Sequence, residues 1–192
     1  PPEKGGMGAV AADYGSAQEA LGHKVTYFDK YSKQVWFRVG HAAFIPSLFW
    51  IVRQFDVVHL HYPFFGAALP AALGARIFRI PLVITYHMEA TGTGLFGSII
   101  KTYRALFRKW VLTSGSAVLV SSLDYAREQG IDRIVKNSLL KEQPFWVDIP
   151  ETLPKRKRDD NALSIIFIGG MDRPHYFKGV PVLLNALAQL QS

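Results

Sequence analysis

Phe55-Asp56-Val57-Val58-His59-Leu60-His61 is followed a short way on by Ile80-Pro81-Leu82-Val83-Ile84-Thr85-Tyr86-His87. Both runs are short, rich in apolar and β-branched residues, and end on a histidine. Such runs, bounded by proline, read as strands buried on both faces. Between them, Ala67 to Phe78 reads as a helix with alanine on its packing face. Strand, helix, strand is the unit of a parallel sheet. Downstream the pattern continues with a helix from Leu95 to Leu112, the strand Ala117-Val118-Leu119-Val120-Ser121, and a helix from Leu123 to Gln129 stopped by Gly130. Residues 134–147 hold one or two weak strands. Upstream, Val10, Tyr14, Ala17 and Leu21 have helical spacing, and Gly22 reads as the C-cap. Lys24 to Phe28 reads as a short strand, the aromatic-rich stretch 30–46 as a loop with a short helix, and Ser47 to Phe55 as helical. The expected fold class is α/β, a parallel sheet with helices on both faces.

The chain also divides. Pro150 to Asn161 (PETLPKRKRDDN) has two prolines and then a charge run, which is linker composition. It separates a domain at 1–149 from a second segment at 162–192. That segment opens with the strand Leu163 to Ile168, a Gly169-Gly170 turn and a helix from Gly179. The chain begins on Pro1-Pro2 without a methionine, and its last helix runs to the end. We therefore expect a fragment, with further chain on both sides.

Composition limits the function classes. Of 192 residues, 49% are hydrophobic and 19% charged, which excludes general disorder. The net charge of +7 points to phosphate-bearing partners. There is no cysteine, so disulfide frameworks, cysteine-bound zinc and thiol nucleophiles are excluded. No apolar run has the ~20 residues of a membrane span. The basic run Lys155 to Arg158 meets Asp159-Asp160 at once, and no nucleic-acid-binding motif is present.

In a parallel sheet, ligands bind beyond the carboxyl ends of the strands. His61 and His87 end two strands there. His59 and His61 share a strand face, but two imidazoles fall short of the three or four ligands a metal site needs, so no metal site is expected. Gly5-Gly6-Met7-Gly8 leads into a helix, where backbone N–H groups can meet an anion. Lys178, at the start of the last helix beside Gly169 and Gly170, suits a diphosphate. On the 99–111 helix, Ile99, Tyr103, Phe107 and Trp110 form an apolar stripe and Lys101, Arg104 and Arg108 a basic one. That pattern fits a solvated core helix or peripheral contact with an anionic membrane.

In their order and spacing these segments resemble the family-4 (group 1) glycosyltransferases of the GT-B fold. Pro1-Pro2-Glu3-Lys4-Gly5-Gly6-Met7, then Leu21-Gly22-His23-Lys24-Val25, resembles the family opening PP-x-x-GG, a helix and GHEV. The runs at 55–61 and 80–87 are similar to its FDVVHLH and IPLVxTxH strands. Ala117 to Ser121 resembles ADAVIAVS, and Pro144-Phe145-Trp146-Val147-Asp148 resembles P-x-GVD. Phe167-Ile168-Gly169-Gly170-Met171-Asp172, with Lys178-Gly179, resembles VGRLD…KG.

The resemblance implies a GT-B N-terminal, acceptor-side Rossmann-like domain and the start of a second, nucleotide-sugar-binding one. It implies a retaining, metal-independent transfer of a sugar from a nucleotide sugar, with no further cofactor. The acceptor is a glycan, a lipid-linked molecule or a small molecule. His87 takes the catalytic position near the transferred sugar. Gly5, Gly6, Met7 and His61 face the acceptor. Gly169, Gly170, Arg173 and Lys178 take the donor diphosphate, with Gly170 standing where the family has arginine and Arg173 the alternative cation of that loop. The family's first strand belongs before Pro1 and its Glu-x7-Glu segment beyond Ser192, so the isolated chain is expected to be inactive. The implied location is the cytoplasm, including the inner membrane face.

A second reading remains open: a non-catalytic Rossmann-like module that binds a phosphorylated ligand or an anionic membrane. A third is a nucleotide-sugar epimerase of related fold. Product analysis separates the two enzymes.

Overall fold

The computed structural model describes residues 6–40, 42–89, 94–146, 165–169 and 178–190. Contacts group the chain into two compact units, Pro1–Val147 and Asp148–Ser192.

The first unit is built on a four-stranded parallel sheet: β3 (Val58–Tyr62), β4 (Leu82–Tyr86), β5 (Ala117–Val120) and β6 (Leu140–Glu142), side by side in that order. The crossovers are α3 (Ala68–Phe78), α4 (Gly94–Thr113) and α5 (Leu123–Glu128). Right-handed crossovers that advance in one direction place their helices on one face. Leu60, Tyr62, Leu82, Ile84, Tyr86, Val118 and Val120 point to that face and pack on Ala68, Ala72 and Ala75 of α3, Val111 and Leu112 of α4, and Ala126 of α5. The small alanines let α3 lie close to the sheet, which is why so apolar a helix carries so little bulk. On the opposite face, α1 (Gly6–Ala20) meets β3 through Tyr14. The expected α/β fold with helices on both faces is what the chain forms.

Local signals explain most boundaries. The predicted cap Gly22 has φ 88°, its N–H donates to Glu19 O, and His23 N–H donates to Gln18 O. These two bonds close α1 in a Schellman turn. The helix predicted at Ser47 to Phe55 is α2 (Leu48–Ile51) continued as a 3-10 turn, Val52–Gln54. It lies so close to α3 that a Cβ on Gly74 would sit 2.3 Å from the Phe49 carbonyl oxygen.

Two expectations are corrected. The short helix expected within 30–46 is instead an antiparallel pair, β1 (Phe37–Val39) and β2 (Ala42–Phe44). Phe37 and Phe44 face each other in register and stack at 5.1 Å, and Ala43 and Ile45 are fully buried in a second cluster with Leu48, Val52, Ala67 and Ala71. Cross-strand aromatic pairing, which has no helical period, organises the stretch. Lys24 to Phe28 is not a strand; it forms no ladder with any described strand.

In the second unit, α6 (Val180–Leu190) is the helix expected after Gly179. Of the strand expected at Leu163 to Ile168, residues 163 and 164 lie outside the described residues, and 165–168 form no strand. The predicted linker 150–161 also lies outside them.

Candidate active site at the strand ends

On β3 and β4, alternate residues face opposite sides of the sheet. Register pairs His59 with Val83, and His61 with Thr85. His59, His61, Thr85 and His87 therefore share the face that α1 covers. Each histidine of β3 reaches one step diagonally along β4. His59 Nε2 lies 2.7 Å from Thr85 Oγ1, and His61 Nδ1 lies 2.8 Å from His87 Nε2. The rings stack in series at 4.5 Å (His59 to His61) and 5.1 Å (His61 to His87). Phe145 extends the stack, 5.2 Å beyond His87. Tyr14 of α1 packs edge-on against His59, His61 and Trp146.

This setting keeps the imidazoles neutral. Burial pulls His59 down to about 4. Burial, with His59 and His87 alongside, pulls His61 down to about 3. Burial and then His59 pull His87 down to about 4. Near pH 7 each ring therefore has one N–H donor and one bare nitrogen acceptor. That suits a sugar hydroxyl, which both donates and accepts. The rings lie in parallel rather than converging, and among the described residues no three His, Asp or Glu are gathered to hold a metal ion.

Two residues past His87 is a group that sequence reasoning did not assemble. Glu89 Oε2 lies 3.1 Å from Arg108 Nε and accepts a hydrogen bond from Tyr86 Oη at 2.8 Å. Glu89 Oε1 lies 3.6 Å from Arg104 Nη1. The Glu89 backbone N–H donates to Tyr125 Oη at 3.3 Å, and Arg108 Nη2 donates to the Gln129 carbonyl. The segment that carries His87 off the sheet is thereby tied to α4 and α5. Burial, the hydrogen bond to Glu89 and the Glu89 charge raise the Tyr86 hydroxyl well above its ordinary range.

The same contacts correct the two-stripe reading of α4. Arg104 and Arg108 turn inward to Glu89, whereas Ile99 is 57% exposed and its neighbour Ile100 is buried. The cation side of α4 still lines a shallow hollow of ≈ 260 Å³ with Lys101, Arg104, Arg108 and Lys109. Among the described residues, no helix is long and apolar enough to cross a membrane.

Gly6 and Met7 form the first residues of α1, as the glycine-rich opening predicts, and a Cβ on Gly6 would meet nothing within 4 Å. Tyr14 lies eight residues further along the helix, or ~12 Å at 1.5 Å per residue. Gly6 and Met7 thus lie further toward the helix start than the ring that meets His61. In the second unit, a Cβ on Gly169 would lie 3.8 Å from Lys178 Cγ, so these two candidates are neighbours. Lys178 and Gly179 (φ 76°) come just before α6. Gly5, Gly170 and Arg173 lie outside the described residues.

A one-directional parallel sheet with crossover helices on one face and α1 on the other defines a Rossmann-like domain. The chain belongs to the glycosyl transferase 4-like domain family, whose model matches residues 30–135. It is therefore a glycosyltransferase at the level of the family. The matched span includes His61, His87, Glu89, Arg104 and Arg108, and excludes Gly5 to Met7 and Gly169 to Lys178. Among curated proteins and solved structures, none matches the chain.

Proposed function

We propose that this chain is the acceptor-side domain, with the start of the donor-side domain, of a retaining glycosyltransferase. It moves a sugar from a nucleotide sugar to a glycan, lipid-linked or small-molecule acceptor in the cytoplasm, without a metal ion. The observation that carries the reading is the neutral His87 ring at the end of β4, backed by His61 and Phe145. In the reaction, the bond from the anomeric carbon to the diphosphate breaks and a bond to the acceptor oxygen forms. The acceptor's hydroxyl proton passes to the oxygen of the departing nucleoside diphosphate, which leaves with the bonding electron pair. His87 hydrogen-bonds a hydroxyl of the transferred sugar and holds it in reacting distance. Gly5, Gly6, Met7 and His61 line the acceptor side. Lys178, the amides near Gly169 and Gly170, and Arg173 stabilise the leaving diphosphate electrostatically.

The test is a panel of nucleotide sugars and acceptors given to the full-length protein with EDTA present, read as nucleoside diphosphate released and as the anomer of the glycoside; the isolated chain is expected to give no transfer. Expected are a retained anomer, activity in EDTA, and loss of transfer in His87→Ala. An inverted product, abolition by EDTA, or full transfer by His87→Ala would overturn the reading.

The basic hollow on α4, where Lys101 and Lys109 lie beside the Glu89-paired Arg104 and Arg108, favours a second reading, a module that binds a phosphorylated ligand or anionic surface without turnover. Binding of anionic vesicles together with an absence of transfer for every donor would favour it.

A further inference from the structure

The hydrogen bond between His61 and His87 joins two neutral rings, so it holds a single proton. Two arrangements are possible. In one, His87 Nε2–H donates to a bare His61 Nδ1. In the other, His61 Nδ1–H donates to a bare His87 Nε2. The first leaves both rings in the Nε2–H form, the form that neutral histidine prefers in water. The second places both in the disfavoured Nδ1–H form. Among the described residues the first arrangement meets no opposing contact: His59 is occupied with the Thr85 hydroxyl, which accepts or donates equally well.

We infer that His61 is a positioning residue: by accepting the Nε2–H of His87 it fixes that ring's tautomer and leaves His87 Nδ1 as a bare acceptor for a hydroxyl of the ligand. The β3–β4 register enforces this, because it sets His61 beside Thr85 and therefore one diagonal step from His87. The hydrogen bond to His61 and the Phe145 ring, near-parallel to His87 at 5.2 Å, keep the imidazole from rotating away. Tyr14, edge-on to His61, confines that ring in turn. The ligand group selected is a hydroxyl that donates toward His87 Nδ1. A group that only accepts hydrogen bonds, such as an ether oxygen or a carboxylate, is disfavoured there.

The inference rests on the proposed function only for the use made of His87; the tautomer is measured without a sugar. Long-range proton–nitrogen spectra of the ¹⁵N-histidine-labelled chain at pH 7 assign the protonated nitrogen of each ring. Expected for His87 is one tautomer, Nε2–H, with that proton slow to exchange. His61→Phe keeps a stacked ring but removes the acceptor, so the Nε2 proton of His87 exchanges fast and both tautomers appear. His61→Asn places an amide oxygen near the lost Nδ1 and restores the protected proton. In the transfer reaction of the full-length protein, His61→Phe lowers kcat by about 100-fold, the scale of a misplaced positioning contact, with the donor KM little changed, and His61→Asn recovers much of it.

An Nδ1–H tautomer of His87 in the unsubstituted chain overturns the inference, and this result does not depend on whether any variant folds. A protected Nε2 proton that persists in folded His61→Phe also overturns it. The two readings can fail separately. Full transfer by His87→Ala with the expected tautomer removes the catalytic reading alone, whereas loss of transfer with an Nδ1–H tautomer removes the inference about His61 alone.

Discussion

Replacing Glu89 with glutamine tests what ties the His87 segment to the rest of the domain. The Glu89 side chain is only 13% exposed and Arg108 17%, so their ion pair, 3.1 Å apart, is largely withdrawn from water. Breaking a buried pair by removing one partner costs about 3–5 kcal/mol, because the other charge remains without compensation. The remaining exposure and the donation of Arg108 to the Gln129 carbonyl place this case at the low end. Glutamine also still accepts from Tyr86 Oη. The expected loss for Glu89→Gln is therefore ~3 kcal/mol. Arg104 differs: its side chain is 36% exposed and 3.6 Å from Glu89, so Arg104→Ala should cost at most ~1 kcal/mol. Urea unfolding followed by tryptophan fluorescence gives both values from the shift of the midpoint. In the double variant Glu89→Gln/Arg108→Met, part of the loss should return, because no unpaired charge remains buried. The reasoning is refuted if Glu89→Gln costs no more than Arg104→Ala, or if the double variant is no more stable than Glu89→Gln.

Three further outcomes are expected. Gly74→Ala should lower the melting temperature even though alanine is the better helix former by ~1 kcal/mol: its Cβ would lie 2.3 Å from the Phe49 carbonyl oxygen, and such overpacking costs ~1–3 kcal/mol. A rise in melting temperature would contradict the close α2–α3 contact. The domain should lose stability as pH falls from about 6.5 to about 4, because the unfolded chain takes up protons there that the buried histidines of the folded chain do not. His59 alone corresponds to ~3 kcal/mol, and denaturation midpoints that stay level over this range would refute it. Ser122→Ala should cost ~1 kcal/mol, since Ser122 Oγ accepts from the N–H groups of Asp124 and Tyr125 at the start of α5; hydrogen exchange at those two amides should rise with it.

What the sequence made legible follows from local chemistry. β3, β4 and β5 were readable because strands buried on both faces must be continuously apolar, and α3 because alanine recurs along it. The placement of His61 and His87 at the ends of neighbouring strands was readable. Their mutual contact was not, because it depends on the register between strands 26 residues apart. The Glu89 group was also hidden. Arg104 and Arg108 have the spacing of a solvated basic stripe, and only the placement of Glu89 against α4 turns them inward. Phe145 and Trp146 were legible as part of a family-like segment, but their contacts with His87 and Tyr14 arise where the chain leaves β6. The β1–β2 pair was missed because strands of three residues are too short to show an alternation.

Along β3 and β4, the residues that pack α3 to α5 and the residues that face α1 alternate one by one: Leu60 and Tyr62 against His59 and His61, Ile84 and Tyr86 against Thr85 and His87. The two sets share a backbone but no side-chain environment. Each strand thus carries two interleaved records that can drift independently. Substitutions on the histidine side can change that face without repacking α3 to α5, and core substitutions can accumulate without disturbing the histidine row. The weakness of such a layout is insertion or deletion. A single residue gained or lost within either strand would exchange the two records, turning tyrosines toward α1 and imidazoles into the alanine-lined interior. Variation in this region of related chains should therefore consist of replacements, with length changes confined to the connections.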